Sequence, residues 1–269
     1  MALTLVLLGL AACPFPGRAA ASPADSAATA PPDPATPAAA TPAAPARPPL
    51  LTRRDLVAGV LLTGLLMVTV PNDAWITSQS DQTHVPGEQD LANAVQPFGN
   101  AAVVVPALAA AWCVERIRGR PESAAAIGRI AIGVGAAGAG TLAVKEVVGR
   151  PRPYQSPGDS DDAFPFSGHA SFPSGHAAIA FALATGIHRE SSWRWTPWIV
   201  YPLATLVAWS RVHDHEHWTS DVVAGAALGT WSANKVEDVL QPRPARSAHL
   251  RLELEPCDGE PALALTLGR

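Results

Sequence analysis

Apolar residues gather in six stretches between residue 51 and about residue 239, and shorter polar segments separate them. The stretches are rich in Gly and Ala and are too long for ordinary strands, so they predict helices. They cover residues 56–70, 101–114, 130–144, 177–187, 198–209 and 222–231. The pattern therefore predicts an all-α fold, a six-helix bundle within residues 51–240.

The distribution of arginines suggests that this bundle lies in a membrane. No stretch reaches the uninterrupted length of about 18 to 20 apolar residues that a membrane span needs, so hydropathy alone also permits a buried bundle in a soluble domain. Residues 72–97, however, contain no Lys or Arg, whereas the alternate loops contain Arg53, Arg54, Arg116, Arg118, Arg120, Arg189, Arg194, Arg243 and Arg246. In a six-span protein this alternation places the loops after stretches one, three and five outside the cytoplasm.

The two ends of the chain differ from the body. Residues 1–21 begin with a short apolar run and contain a possible lipoprotein cleavage box at Cys13, which predicts an export leader. Residues 22–50 are almost entirely Ala, Pro, Thr and Ser, a composition typical of a disordered tether. Residues 241–269 contain two runs of alternating apolar and polar residues around a Pro-Cys-Asp-Gly turn, which predicts a short β-hairpin.

The leader and the six spans conflict with each other. A cleaved leader puts the tether outside, and six complete spans that start outside would turn the loops after stretches three and five inward. Either the first run is not cleaved and the tether is cytoplasmic, or the helices form an exported bundle that lies on a membrane or is tethered to it. We expect a protein of the bacterial cell envelope, membrane-associated, with its active site facing the periplasm or the exterior.

Composition excludes several other classes of protein. With 48% apolar and 16% charged residues, the 269-residue chain can bury a large core. The 19 basic and 23 acidic residues give a net charge of −4, so no strong basic field exists for binding nucleic acid. Cys13, Cys113 and Cys257 lack paired spacing, which excludes a disulfide framework and a zinc cage.

The loops at one end of the predicted bundle carry three cations that could converge on a phosphate dianion. The cations are Lys145 after stretch three, Arg152 in the same loop, and Arg211 before stretch six. Ser174 and Gly175 begin the helix of stretch four, where free backbone N–H groups point at an anion. Each feature alone has a structural explanation, such as a helix C-terminal cation or an N-cap, but together they predict a phosphate site.

Two histidines supply the reactive groups of this site. His217 and Asp221 are four residues apart, so on a helical turn the carboxylate can accept the Nδ1 proton and leave Nε2 free as a nucleophile. His176 comes from another loop and can protonate the leaving oxygen. Three histidines at alternate positions in residues 213–217 also form a metal-binding pattern, but a nucleophilic His217 must be unliganded. We therefore predict no metal and no other cofactor.

These residues form three motifs that resemble the signature of the type 2 phosphatidic acid phosphatase (PAP2) family, related to bacterial acid phosphatases and vanadium haloperoxidases. The motifs are Lys145-x6-Arg152-Pro153, Pro173-Ser174-Gly175-His176 and Ser210-Arg211-x5-His217-x3-Asp221. Every signature position is filled in the family's order, and the similarity covers about residues 56–239. The resemblance implies a PAP2-like helical-bundle phosphatase domain over residues 51–240.

The resemblance also implies a role for each site residue. His217 would be phosphorylated, Asp221 would orient it, and His176 would protonate the leaving group and later activate water. The groups that hold the phosphoryl oxygens would be Lys145, Arg152, Ser174, Gly175 and Arg211.

Four functions remain open at this point. The apolar body favours a lipid phosphate as substrate, such as phosphatidic acid, phosphatidylglycerol phosphate or a polyprenyl pyrophosphate. The nearest alternative is an acid phosphatase that acts on soluble phosphoesters. A vanadium haloperoxidase and a non-catalytic envelope scaffold are less favoured, since the chain is short and its set of cations and histidines is complete. The sequence predicts no oligomeric state.

Overall fold

The computed structural model describes residues 51–82, 85–158, 163, 165–241, 250–257 and 260–267. The predicted leader (1–21) and tether (22–50) lie outside the described residues. The described part contains eight α-helices: α1 Arg53–Thr69, α2 Asp73–Gln82, α3 Glu88–Val95, α4 Ala101–Ile117, α5 Pro121–Val148, α6 Gly175–Glu190, α7 Thr196–His213 and α8 Thr219–Leu240. Two 3₁₀ turns, Val70–Asn72 and Gln96–Gly99, precede α2 and α4 respectively.

The six apolar stretches form helices α1, α4, α5, α6, α7 and α8, and only the last residue of the first stretch, Val70, lies outside its helix, in the 3₁₀ turn that follows. The body is therefore all-helical, as predicted. Helices α2 and α3 are additional, and they form from the polar residues between stretches one and two. Near the C-terminus, strands β1 Leu250–Cys257 and β2 Glu260–Leu267 pair antiparallel, with Leu254 opposite Leu263.

Helix α6 is at the centre of the bundle and packs against α5, α7 and α8. Its contact with α8 is very close because α8 has glycines there. A Cβ at Gly225 would lie 2.4 Å from the Ser174 carbonyl oxygen, and a Cβ at Gly229 would lie 2.1 Å from that of Ala178. This packing brings the N-terminal ends of α6 and α8 together, and the backbone N–H of Ser174 donates to the Asp221 carbonyl at 2.9 Å.

Two apolar clusters fill the bundle on either side of α6. One joins α4, α5, α6 and α8 and includes Val104, Leu108, Ile127, Ile130, Val134 and Leu183. The other joins α3, α6 and α7 and includes Val95, Ala180, Ala184, Val200, Ala204 and Val207. Both clusters hold α6 in place, and α6 carries His176 in its first turn.

Two helical stretches, Arg53–Ser80 and Pro121–Val148, are long and apolar enough to cross a membrane, and a third exists if the bent pair Glu88–Gly99 and Ala101–Ile117 is one span. The chain is thus a membrane protein with two to three candidate spans among its described residues. The candidate spans are longer than the uninterrupted apolar stretches of the sequence, because the helices continue through polar residues at both ends of those stretches. The number is also smaller than the six spans that the arginine argument assumed. Helix α6, for example, has only 16 residues.

Candidate active site

The site forms where the C-terminal ends of α5 and α7 meet the N-terminal ends of α6 and α8. Lys145 lies in the last turn of α5, and Gly149, with φ +60°, caps the helix at its C-terminal end. This left-handed conformation favours glycine and turns the chain out of the helix, so that the loop with Arg150 and Arg152 follows directly. Arg211 lies in the last turn of α7.

His217 and Asp221 form a buried pair between α7 and α8. Nδ1 of His217 lies 3.5 Å from Oδ2 of Asp221. The same Oδ2 accepts hydrogen bonds from the Ser171 hydroxyl at 2.5 Å and from the Trp218 backbone N–H at 2.9 Å. The Asp221 carboxylate therefore caps the first turn of α8 and also faces the imidazole.

Burial and local charge determine the protonation of this pair. Burial lowers the pKa of His217 below its ordinary value, although the Asp221 carboxylate opposes this, so the imidazole is neutral. For Asp221, burial acts to raise the pKa, but the contact with His217 and the Arg150 charge outweigh it and hold the pKa below its ordinary value. The pair is therefore a neutral imidazole beside a carboxylate.

His176 is the second residue of α6, and its Nε2 is buried with no hydrogen-bond partner among the described residues. Its pKa is lowered to about 4, first by burial and then by the nearby charges of Arg211, Arg152 and Lys145, with a contribution from the neighbouring His217. Since these charges act on one imidazole, the three predicted cations and both histidines share one site.

Each of the three cations has a protein partner at the site. Lys145 Nζ donates to the carbonyl oxygens of Ala170 and Ser171, to the latter at 3.4 Å. Arg152 pairs with Glu216. Arg211 is 3% exposed and pairs with Asp214 at 2.5 Å. A phosphate that binds here would displace the Glu216 carboxylate from Arg152, which is the more exposed of the two arginines.

Ser174 and Gly175 begin helix α6, as predicted. The Ser174 hydroxyl accepts from the Ala177 N–H at 3.4 Å, which makes it the N-cap of α6, and the residue is fully buried. A Cβ at Gly175 would meet only Thr141 Cγ2, at 3.8 Å. The structure thus brings together all eight site residues predicted from the sequence.

Four further polar residues of the site have no counterpart in the sequence predictions. They are Asp73, Arg150, Ser171 and Ser220, and all four are buried. Arg150 stands two residues before Arg152, at one of the unspecified positions of the first motif, and that place was the signal available. Asp73 follows the apolar helix α1 with no motif around it, and nothing local in the sequence indicates its role.

The histidine-rich run 213–217 does not form a metal cluster. His213 stacks on the Trp209 ring with centroids 5.0 Å apart, whereas Asp214 and Glu216 face different arginines. Among the described residues, no three His, Cys, Asp or Glu side chains converge on a position that could hold a metal ion.

Comparison with known proteins connects this geometry to a family. Residues 126–236, which include all eight predicted site residues, match the family model described as the PAP2 superfamily. The lipid A 1-phosphatase of Porphyromonas gingivalis is 47% identical over 62 residues, covering 22% of this chain and 14% of that protein. A putative phosphatidate phosphatase of Drosophila melanogaster is 35% identical over 112 residues, covering 36% of this chain and 29% of that protein. The chain thus spans less than a third of the length of both relatives.

The fold also resembles a solved membrane protein. The crystal structure of a transmembrane PAP2-type phosphatidylglycerolphosphate phosphatase from Bacillus subtilis aligns with a TM-score of 0.53 at 18% identity. The alignment covers 70% of this chain and 98% of that one. At this identity the similarity shows a shared fold, and the helical body is therefore PAP2-like.

Proposed function

The chain belongs to the PAP2 superfamily, and from its site we propose that it is a metal-independent phosphatase that hydrolyses a lipid phosphate or lipid pyrophosphate through a phosphohistidine. One observation carries this proposal. A buried, neutral His217 has its Nδ1 against Asp221, and the charges of Lys145, Arg152 and Arg211 act on the neighbouring His176. This is the set of groups that phosphoryl transfer to an imidazole requires.

In the proposed first step, Nε2 of His217 attacks phosphorus while Asp221 accepts the Nδ1 proton in a hydrogen bond. The P–N bond forms as the P–O bond to the leaving group breaks, and His176 gives its proton to the leaving oxygen. A resting pKa of about 4 would leave His176 unprotonated. A bound phosphate dianion offsets the positive charges of Lys145, Arg152 and Arg211 around His176, so substrate binding itself raises the pKa of this acid.

In the second step, water attacks the phosphorus of the phosphohistidine. The now neutral His176 accepts a proton from that water, the P–N bond breaks, and the electron pair returns to Nε2 of His217. Inorganic phosphate leaves and the resting imidazole is restored. Lys145, Arg152 and Arg211, together with the N–H groups at Ser174 and Gly175, stabilise the charge on the phosphoryl oxygens in both steps.

The membrane helices support a lipid as the substrate. Helix α1 has no buried residue and exposes large apolar side chains, including Leu56 and Leu61. It continues through the turn Val70–Asn72 into Asp73, which contacts Ser220 beside Asp221. The apolar surface therefore ends where the polar residues of the site begin, which is where the headgroup of a bilayer lipid would lie. The names of both curated relatives, a lipid A phosphatase and a phosphatidate phosphatase, agree with this substrate class.

Phosphate release in excess EDTA tests the proposal. We would compare wild type with His217→Ala on detergent-solubilised phosphatidic acid, on a polyprenyl pyrophosphate, and on a water-soluble phosphomonoester. Release by wild type with a loss of at least about 10⁴-fold in His217→Ala supports the histidine mechanism. A nearly active His217→Ala would overturn it. If wild type released phosphate only from the soluble ester, the protein would be an acid phosphatase and not a lipid phosphatase.

We also propose that the site faces the exterior. The arginines Arg116, Arg118 and Arg120 lie at the opposite end of α5 from Lys145, as the positive-inside rule expects of a cytoplasmic end. The test uses a chain whose native cysteines are replaced by Ser. A single cysteine is then introduced at either Pro157 or Glu122, which are both exposed and lie near opposite ends of α5. In intact cells, a membrane-impermeant maleimide should label only the Pro157→Cys variant. If only the Glu122→Cys variant were labelled, the site would face the cytoplasm instead.

A further inference from the structure

A buried chain of charges extends from the catalytic pair to helix α2. Arg150 Nη1 donates to Asp221 Oδ1 at 2.8 Å and to the Ser220 hydroxyl at 2.7 Å, and its Nη2 donates to Asp73 Oδ2 at 2.9 Å. Asp73 Oδ1 in turn accepts from the Ser220 backbone N–H at 2.9 Å. Asp73 and Asp221 are fully buried, and Arg150 is 5% exposed.

The guanidinium of Arg150 is also fixed by an aromatic ring. It lies 5.3 Å from the centroid of Trp218, and the Trp218 indole N–H donates to the Pro151 carbonyl at 3.0 Å. Trp218 stands directly after His217, so the arginine and the loop that carries the nucleophile are packed together. Arg150 therefore cannot move without disturbing the position of either Asp221 or His217.

The chain places one guanidinium between two carboxylates. Were Arg150 paired with Asp221 alone, it would withdraw charge from the carboxylate that must accept the Nδ1 proton of His217. Asp73 shares the guanidinium and so leaves Asp221 a stronger acceptor. The hydrogen bonds from Arg150 to Asp73 and Asp221 connect helix α2 to the carboxylate that faces His217, so Asp73 and Arg150 act on the imidazole through Asp221.

We propose that Asp73 and Arg150 are positioning residues for catalysis, which hold Asp221 in place and adjust its charge so that it orients His217. This proposal rests on the function proposed above, in which His217 is the nucleophile. It assigns a role to helix α2, most of which belongs to the candidate span Arg53–Ser80 and whose first residue, Asp73, reaches the active site.

The proposal predicts opposite electrostatic effects for two substitutions. Asp73→Asn removes a negative charge while its amide can still bond to Arg150, so the pKa of His217 falls. Arg150→Gln removes a positive charge, so the pKa of His217 rises. The other charged and titratable groups around the two histidines are unchanged in both variants: Asp221, Lys145, Arg152, Arg211, Asp214 and Glu216. Loss of packing alone would not move the pKa of His217 in opposite directions in the two variants.

The experiment measures kcat and KM against pH for the full-length chain in detergent, with phosphatidic acid as the probe substrate and excess EDTA. We expect both variants to lose about 10- to 100-fold in kcat, a loss typical of a misplaced catalytic group, with KM unchanged. The acid limb of the pH profile should move to lower pH in Asp73→Asn and to higher pH in Arg150→Gln. Arg150→Lys, which keeps the charge, should recover part of the lost kcat.

Glu190→Gln is the matched control. It also neutralises a half-buried partner of an arginine, since Glu190 pairs with Arg129 at 2.6 Å. Glu190 ends α6, about 22 Å from the N-terminal end where His176 lies. We expect this control to lower the melting temperature without any shift of the pH profile.

Three outcomes would overturn the inference: wild-type kcat in both charge variants, shifts of the acid limb in the same direction, or a loss of activity that follows the melting temperature with no shift at all. If Asp73→Asn does not fold, Ser220→Ala takes its place, because it removes the bridging hydroxyl and leaves every charge. Its kcat must then fall at constant KM, and a wild-type kcat would count against the inference. An active His217→Ala would instead refute the proposed function itself, so the two failures are distinguishable.

Discussion

Nδ1 of His217 faces Oδ2 of Asp221 across 3.5 Å, and the side chains of the two residues are 5% and 0% exposed. The same carboxylate accepts the backbone N–H of Trp218 at the start of α8. In the proposed mechanism, the cap of α8 and the group that orients His217 are thus one side chain. The direction in which the imidazole points is therefore determined by where α8 begins.

Replacing Asp221 with Asn separates these two roles. The amide oxygen can still accept from Trp218, so α8 should begin at the same residue and the protein should fold. The amide cannot carry the charge that holds the Nδ1 proton of His217, and we expect kcat to fall by up to about 10⁴-fold, as for the orienting Asp of serine proteases. Asp238→Asn, at the far end of α8, is the charge-matched control. Wild-type activity in Asp221→Asn would make Asp221 a helix cap only.

The acid limb of the pH profile should lie below the ordinary imidazole value of 6.5. Burial lowers the pKa of His217, and kcat/KM reports the free enzyme, in which His217 must be unprotonated to attack. Activity is therefore retained as pH falls through 6.5 and is lost only at lower pH. Asp221→Asn should move this limb lower still, because the Asp221 charge raises the pKa of His217. Comparing the two proteins on one substrate cancels the ionisation of the substrate, and equal limbs would contradict the assignment.

The helices and the eight predicted site residues could be read from the sequence for a physical reason. An apolar stretch of helical length satisfies its backbone hydrogen bonds inside a bundle by forming a helix. Each motif stands at the end of such a stretch. Helices α2 and α3 could not be predicted in this way, because their residues are polar and gain stability from contacts with α7 and α8.

The charge chain through Arg150 was not predictable for a different reason. Asp73 and Ser220 are 147 residues apart in the chain, and their hydrogen bond exists only because α2 packs against α7 and α8. A single buried Asp after an apolar helix has no periodicity or spacing that indicates its partner. Sequence reasoning predicted which residues would contact phosphate, whereas Asp73, Arg150 and Ser220, which bond to one another beside Asp221, became visible only in the fold.

Glu216 should weaken phosphate binding, because it pairs with Arg152 at the edge of the site. Both side chains are about one third exposed, at 30% for Arg152 and 36% for Glu216, so the pair contributes little energy. Glu216→Gln frees Arg152, and we expect the inhibition constant of orthophosphate to fall by about two- to fivefold, which corresponds to a weak surface ion pair. Glu146→Gln, an equal charge change at an exposed residue next to Lys145, should have a smaller effect. An equal response of the two variants would mean that only the net charge matters.

Gly229 should be essential for the contact that assembles the site. A Cβ at this position would lie 2.1 Å from the Ala178 carbonyl oxygen and 2.9 Å from its carbon, and these backbone atoms can yield only if α6 moves away from α8. Gly229→Ala should therefore destabilise the protein by at least about 1 to 3 kcal/mol, measured as a fall in melting temperature in detergent. Activity should fall as well, since moving α6 separates Ser174 from Asp221. Gly135→Ala is the control: no atom lies within 4 Å of its Cβ, and alanine is the better helix former by about 1 kcal/mol. If the two alanine variants melted at the same temperature, the close approach of α6 and α8 would not be what holds the site together.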